Sequence, residues 1–243
     1  MGQHAKYRPL VRIGAFALAV MVGANGWAEP CRQALALGLD VSGSVDAEEY
    51  RLQLDGLASA FSHPDVAGAV LSPSGAPMRL AVYEWSGPQD QKMIVPWTTL
   101  SDAGALSSVI ARLRATTRSP ANPSTALGTA IAFGAALLAR QPDCWKRTLD
   151  ISGDGQSNTG PRPQDISGLP VMDGVTVNAL VIGPGVNAAA ETGSEGDLQG
   201  YFRARVIRGP GAFVETAKGF SDYQGAMVRK LLREMEGLAL SRL

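Results

Sequence analysis

Strand-length apolar runs alternating with helix-length amphipathic segments constrain this chain more than any other feature. Residues 33–39, 78–85, 147–152 and 175–182 are the runs of strand length. Between them, residues 46–61 place Tyr50, Leu54, Leu57 and Phe61 at helical spacing. Residues 102–114, 125–140 and 221–236 read as further helices. Parallel strands need such crossovers, so the pattern predicts an α/β fold: a doubly wound, mostly parallel sheet with helices on both faces. One connection differs. Only the short turn 86–91 separates strand 78–85 from strand 92–97, so these two should pair as a hairpin. Pro96 demotes strand 92–97 to an antiparallel edge. Pro64 is expected to end the first helical region, and residues 211–215 to form a last short strand. Residues 183–200, glycine-rich and weakly patterned, are expected to be a long loop, on the metal face or a slack connection.

The first run leads directly into Asp40-Val41-Ser42-Gly43-Ser44, a tight loop offering one carboxylate and two hydroxyls. Oxygen ligands on a loop suit a hard cation such as Mg²⁺, which keeps several waters and takes few protein carboxylates. A second loop, Asn122-Pro123-Ser124-Thr125, brings another hydroxyl. A third, after run 147–152, brings Asp154, with Gly155 suited to a sharp turn. All three are expected to begin at carboxyl ends of strands, where doubly wound sheets bind ligands. The same residue types also cap helices and form turns. Asp40 and Ser42 could cap the helix that follows, Thr125 the next, and Asp154 could close an Asx-turn.

The three loops together resemble the metal-ion-dependent adhesion site of von Willebrand factor type A domains. Asp-x-Ser-x-Ser is met at Asp40, Ser42 and Ser44, the threonine at Thr125 and the Asp-Gly at Asp154-Gly155. The second loop departs from the family's pattern, with Pro123-Ser124 in place of a glycine pair and Leu127 in place of a second threonine. The resemblance implies that Ser42, Ser44 and Thr125 supply hydroxyls to Mg²⁺ or Mn²⁺. Asp40 and Asp154 would act directly or through water. It further implies an open coordination position that takes a carboxylate from a protein or peptide partner. Glu84-Trp85-Ser86-Gly87, residues 150–155 and residues 209–215 resemble an exported bacterial family classed as a domain of unknown function. Glu84 and Trp85 end a strand beside the first one and are possible ligand-face residues, or ordinary packing.

Residues 1–28 carry a signal peptide's marks: Lys6, Arg8 and Arg12, an apolar core from Ile13 to Val22, and Gly26-Trp27-Ala28 before the cleavage point. An uncleaved anchor is the alternative, although the run is short for a bilayer. The expected organisation is a signal peptide, 1–28, then one domain, 29–243, in the periplasm or secreted, with no membrane span after cleavage. Without its leader the chain has a net charge of −3 and no basic stripe, which disfavours nucleic acid. Two cysteines remain. Cys31 precedes Asp40 by nine residues and Cys144 precedes Asp154 by ten. In the resembled family those two strands are parallel neighbours. An exported chain is oxidised, so a Cys31–Cys144 disulfide is expected, with two buried thiols as the alternative.

An enzyme is not expected. The mature chain has one histidine, His63, away from every site loop, and no phosphate-loop or zinc-ligand spacing. The expected function is divalent-metal-dependent binding. The alternatives are a metal-assisted hydrolase and a domain with a vestigial metal site.

Overall fold

The computed structural model describes residues 1–2, 30–72, 76–183 and 195–236. The expected export leader from residue 3 onward lies outside the described residues, as does most of segment 183–200. The strands are β1 (Gln33–Asp40), β2 (Met78–Trp85), β3 (Gln91–Leu100), β4 (Arg147–Gly153), β5 (Val175–Ile182) and β6 (Val214–Ala217). They form one sheet in the order β3-β2-β1-β4-β5-β6. Only the β2–β3 pair is antiparallel. The doubly wound α/β expectation therefore holds, with β3 as the antiparallel edge.

Alternation along β1 sorts the helices. Leu35, Leu37 and Leu39 face a core built with α1 (Ala47–Ser62), α2 (Pro64–Val70), α3 (Ala103–Ala115) and α7 (Tyr223–Glu236). Ala34 and Ala36 face a second core with α4 (Leu127–Ala139), α5 (Pro163–Ser167) and α6 (Glu195–Arg205). Each buried leucine contributes about 1.5–3 kcal/mol. Asp46 starts α1 with a capping box: its carboxylate accepts from Glu48 and Glu49 N–H, and Glu49 reaches back to Asp46 N–H.

The first helix ends at Ser62, just before Pro64 as expected, but Pro64 then opens α2 at its first turn, where its missing N–H costs nothing. Three expectations need correction. The last strand is Val214–Ala217, later than 211–215, because Gly209 and Gly211 take positive φ and turn the chain first. Residues 195–200 are not loop but the start of α6, anchored by Phe202 and Val206 in the second core. The second site loop does not begin at a strand end. β3 runs antiparallel, so α3 must carry the chain back to the site edge.

Two features fix β4 within this frame. Cys31 and Cys144 form a disulfide with Cα atoms 4.3 Å apart, as a parallel bridge just before β1 and β4. Deeper in, Lys230 of α7 is fully buried between Asp150 of β4, 2.9 Å away, and Glu234, 2.8 Å away. The Asp150 contact is an ion pair lacking hydrogen-bond alignment, while Glu234 also accepts from Asn178 of β5 at 2.8 Å. Burial first, then Glu234, pushes Asp150 up to about 7 against the pull of Lys230. One buried cation thus faces two buried carboxylates.

Candidate metal centre

β1 delivers Asp40 to the sheet edge fully buried. Its Oδ1 accepts the Ser42 N–H at 2.8 Å, folding the loop back on itself. That bond turns Ser42 Oγ to within 3.3 Å of Ser44 Oγ. Ser44 then donates to Asp154 Oδ1 at 2.8 Å, just past the end of β4. Four of the five expected ligand positions thus form one continuous chain. Asp40 Oδ2 is buried with no hydrogen-bond donor. Burial, then the Asp154 charge, pushes Asp40 up to about 7, and burial also raises Asp154.

Thr125 is brought alongside by backbone contacts. Gly43 N–H donates to Pro123 O at 2.9 Å, locking the second loop to the first. Gly43 is required there, since a Cβ would sit 2.8 Å from Pro123 Cβ and 3.0 Å from its carbonyl. The third loop holds the second through Asn158, whose Oδ1 accepts Thr125 N–H at 2.9 Å and whose N–H donates to Thr125 O at 3.0 Å. Gly155 is different from the expectation. It has no positive φ and open space where a Cβ would be, so the turn after Asp154 does not need a glycine.

The capping alternatives do not describe these residues. Asp46, not Asp40 or Ser42, caps α1. Ala126, not Thr125, sits at the α4 N-cap, and no side chain caps that helix. The Asx-type bond is made by Asp40 rather than Asp154. Hydroxyls and carboxylates converging beside an unsatisfied buried Asp40 oxygen fit a hard divalent cation. Clusters of three or more His, Cys, Asp or Glu with ligand geometry are absent among the described residues. His63 lies at the junction of α1 and α2, where its Nδ1 accepts from Asp65 N–H at 3.3 Å.

Two neighbours matter that sequence reasoning passed over. Asn158 is one. Gln53 of α1 is the other: fully buried, it donates to Asp40 O at 3.0 Å and accepts from Ser152 Oγ at 3.4 Å, joining the ends of β1 and β4. Trp85, expected as a possible ligand-face residue, is fully buried in the second core and presents nothing to a ligand. Glu84 faces the other side of the sheet, where its carboxylate accepts the Tyr50 hydroxyl.

Comparison with known proteins agrees with this architecture. The model of a family described as "Protein of unknown function (DUF1194)" matches residues 30–239. No curated protein matches the chain. Among solved structures, proximal thread matrix protein 1 from the mussel byssus aligns with a TM-score of 0.58 at 19% identity, covering 86% of this chain and 49% of that one. Another crystal structure of that protein, described with a zinc-occupied MIDAS motif, aligns with a TM-score of 0.57 at 18% identity, covering 86% and 49%. A von Willebrand factor type A protein from Catenulispora acidiphila gives 0.54 at 13% identity, covering 84% and 43%. The chain spans less than half the length of each of these structures. At such identities the likeness establishes the von Willebrand A-type fold.

Proposed function

This chain belongs to the DUF1194 family, and from that premise and the site's geometry we propose that it is an exported, divalent-cation-dependent binding module. Its target is an acidic group on a protein or peptide. The observation that carries this reading is the buried Asp40 Oδ2, without a donor, at the head of the chain Asp40–Ser42–Ser44–Asp154. Ser42, Ser44 and Thr125 would hold Mg²⁺ or Mn²⁺ by their hydroxyls, with Asp40 and Asp154 as direct or water-mediated carboxylates. An ion held mainly by neutral oxygens keeps much of its charge and supplies an electrophilic seat for an anionic oxygen. The protein's own share is positioning: Gln53 fixes the strand ends, Gly43 locks two loops together, and Asn158 fixes Thr125. The zinc-occupied site of the mussel protein supports a divalent ion on this fold. The disulfide supports an oxidising destination. Among the described residues no helix is long and apolar enough to cross a membrane.

Thermal unfolding in Mg²⁺ or Mn²⁺ against EDTA tests the site. At a metal concentration a hundredfold above Kd, stabilisation of about 2.7 kcal/mol is expected. It should vanish in Ser42→Ala and Asp154→Ala, whose melting in EDTA should match wild type. Identical wild-type melting with metal and with EDTA would remove the proposed site. Affinity capture with and without EDTA then tests the partner reading, since capture that ignores EDTA excludes a metal bridge.

A further inference from the structure

A pocket of about 220 Å³ opens beside the metal loop, lined by Val41 of that loop and by Glu84, Asp90, Gln91, Lys92 and Arg118. Glu84 is only 4% exposed, and one of its oxygens is taken by Tyr50. Lys92 stands directly across the β2–β3 pair from Glu84. Its ammonium donates to Ser119 Oγ at 2.6 Å, leaving further protons for a ligand. Arg118 donates to the Val45 carbonyl and, at 3.4 Å, to those of Val41 and Ser42. It therefore builds the wall that the pocket shares with the metal loop. Neither cation forms an ion pair with a carboxylate among the described residues.

We propose that this pocket is a recognition subsite for a carboxamide, the side chain of a glutamine or asparagine on a partner segment. The lining offers an acceptor, Glu84, and donors, Lys92 and Arg118, side by side. A carboxamide carries the complementary NH₂ and C=O on one planar group. A carboxylate in the same place meets the carboxyls of Glu84 and Asp90 and brings no N–H for either. An ammonium meets Lys92 and Arg118. An apolar group strips water from all three and returns no hydrogen bond. The lining thus selects by repulsion as well as by attraction. The subsite rests on the metal-site reading only for its relation to the partner's acidic group; the amide contact itself needs no metal.

The test uses the ¹⁵N-labelled full-length protein and four small probes: the N-acetyl methylamides of glutamine, glutamate, lysine and norleucine. Each is titrated with backbone amides observed by NMR, once in Mg²⁺ and once in EDTA. The glutamine probe is expected to shift Val41, Lys92 and Ser119 in both buffers. It should bind about tenfold or more tightly than the other three, the scale of one lost hydrogen bond in a desolvated site. Lys92→Ala, at an exposed position, should lose that preference while the spectrum remains that of a folded protein. Glu84→Gln should bring the glutamate probe to within about threefold of the glutamine probe, because the repelling carboxyl is gone. Equal affinity for glutamine and glutamate probes on the wild type overturns the proposal. So does the absence of pocket shifts at the glutamine probe's solubility limit. Failure of the metal site is read separately, in the thermal comparison of Mg²⁺ with EDTA, and leaves this result standing.

Discussion

Asn158 grips Thr125 at both ends of one residue, accepting its N–H at 2.9 Å and donating to its carbonyl at 3.0 Å. The grip crosses 33 residues of sequence and joins the second site loop to the third. The Thr125 hydroxyl can serve a metal only if its backbone is held. Asn158→Ala should therefore weaken Mg²⁺ or Mn²⁺ binding by about 10–100-fold, the usual scale for supporting residues. Asn158 is exposed, so melting in EDTA should stay close to wild type. Manganese binding followed by electron paramagnetic resonance checks this; unchanged affinity would detach Asn158 from the site.

Gly128→Ala separates two opposing effects. Helix propensity alone favours alanine by about 1 kcal/mol. Against it, a Cβ at Gly128 would lie 2.0 Å from the Pro161 carbonyl oxygen. Backbone stands on both sides, so the contact cannot relax by a rotamer change. A net loss of about 1–3 kcal/mol is expected in urea unfolding. A stabilised variant would mean that α4 and the third loop are not in contact there.

The Asp150 cluster sets a pH dependence. Facing that carboxylate are Lys230, Glu234 and Tyr223 from α7 and Tyr83 from β2. Asp150 is pushed from 3.8 up to about 7 in the folded protein. Between those values the native state holds a proton that the unfolded chain has released. Asp150's contribution to stability is therefore complete below the lower value and falls as pH rises to the upper one, by up to about 1.4 kcal/mol per unit. Asp150→Asn should remove that share of the slope, since the amide needs no proton. Urea midpoints from pH 4 to 8 for the two proteins, both in EDTA, decide it. Parallel curves would rule Asp150 out as the titrating group.

Reduction of the disulfide is expected to cost about 2–5 kcal/mol. Alkylation of unreduced protein followed by mass measurement should find neither Cys31 nor Cys144 modified. Two modified cysteines in the isolated protein would show that the bridge does not persist in solution.

Much of this molecule was legible because its central strands are continuous apolar runs. The runs ending at Leu39 and Ser152 located β1 and β4 and, with them, two of the three loops. Other features had a signal that was misread. Glu84 and Trp85 are neighbours on one strand, so they must face opposite sides, and only one can reach a given surface. Gln53 falls on the same helical stripe as Tyr50, Leu54 and Leu57, where a polar residue points to a buried hydrogen bond. Pro64 was ambiguous, since proline both ends one helix and suits the first turn of the next. α6 was hidden by Gly196 and Gly200, and its burial rests on few apolar residues. Asn158 had no local signal at all, because its contact with Thr125 exists only once the loops have met.

The bridge between Cys31 and Cys144 has a consequence for how the chain can vary in length. The bridged cysteines are 113 residues apart, and the same offset runs without slippage up the β1–β4 pair to Leu39 opposite Ser152. The covalent link is a common origin from which both carboxylates are counted, Asp40 along one strand and Asp154 along the other. A residue added or removed between Cys31 and Asp40, or between Cys144 and Asp154, displaces one of them by about 3.3 Å and turns its side chain to the other face. Length changes on the far side of either cysteine leave that count untouched. The two strands thus act as a pair of rulers clamped at zero, so the spacing from each cysteine sets where each carboxylate stands.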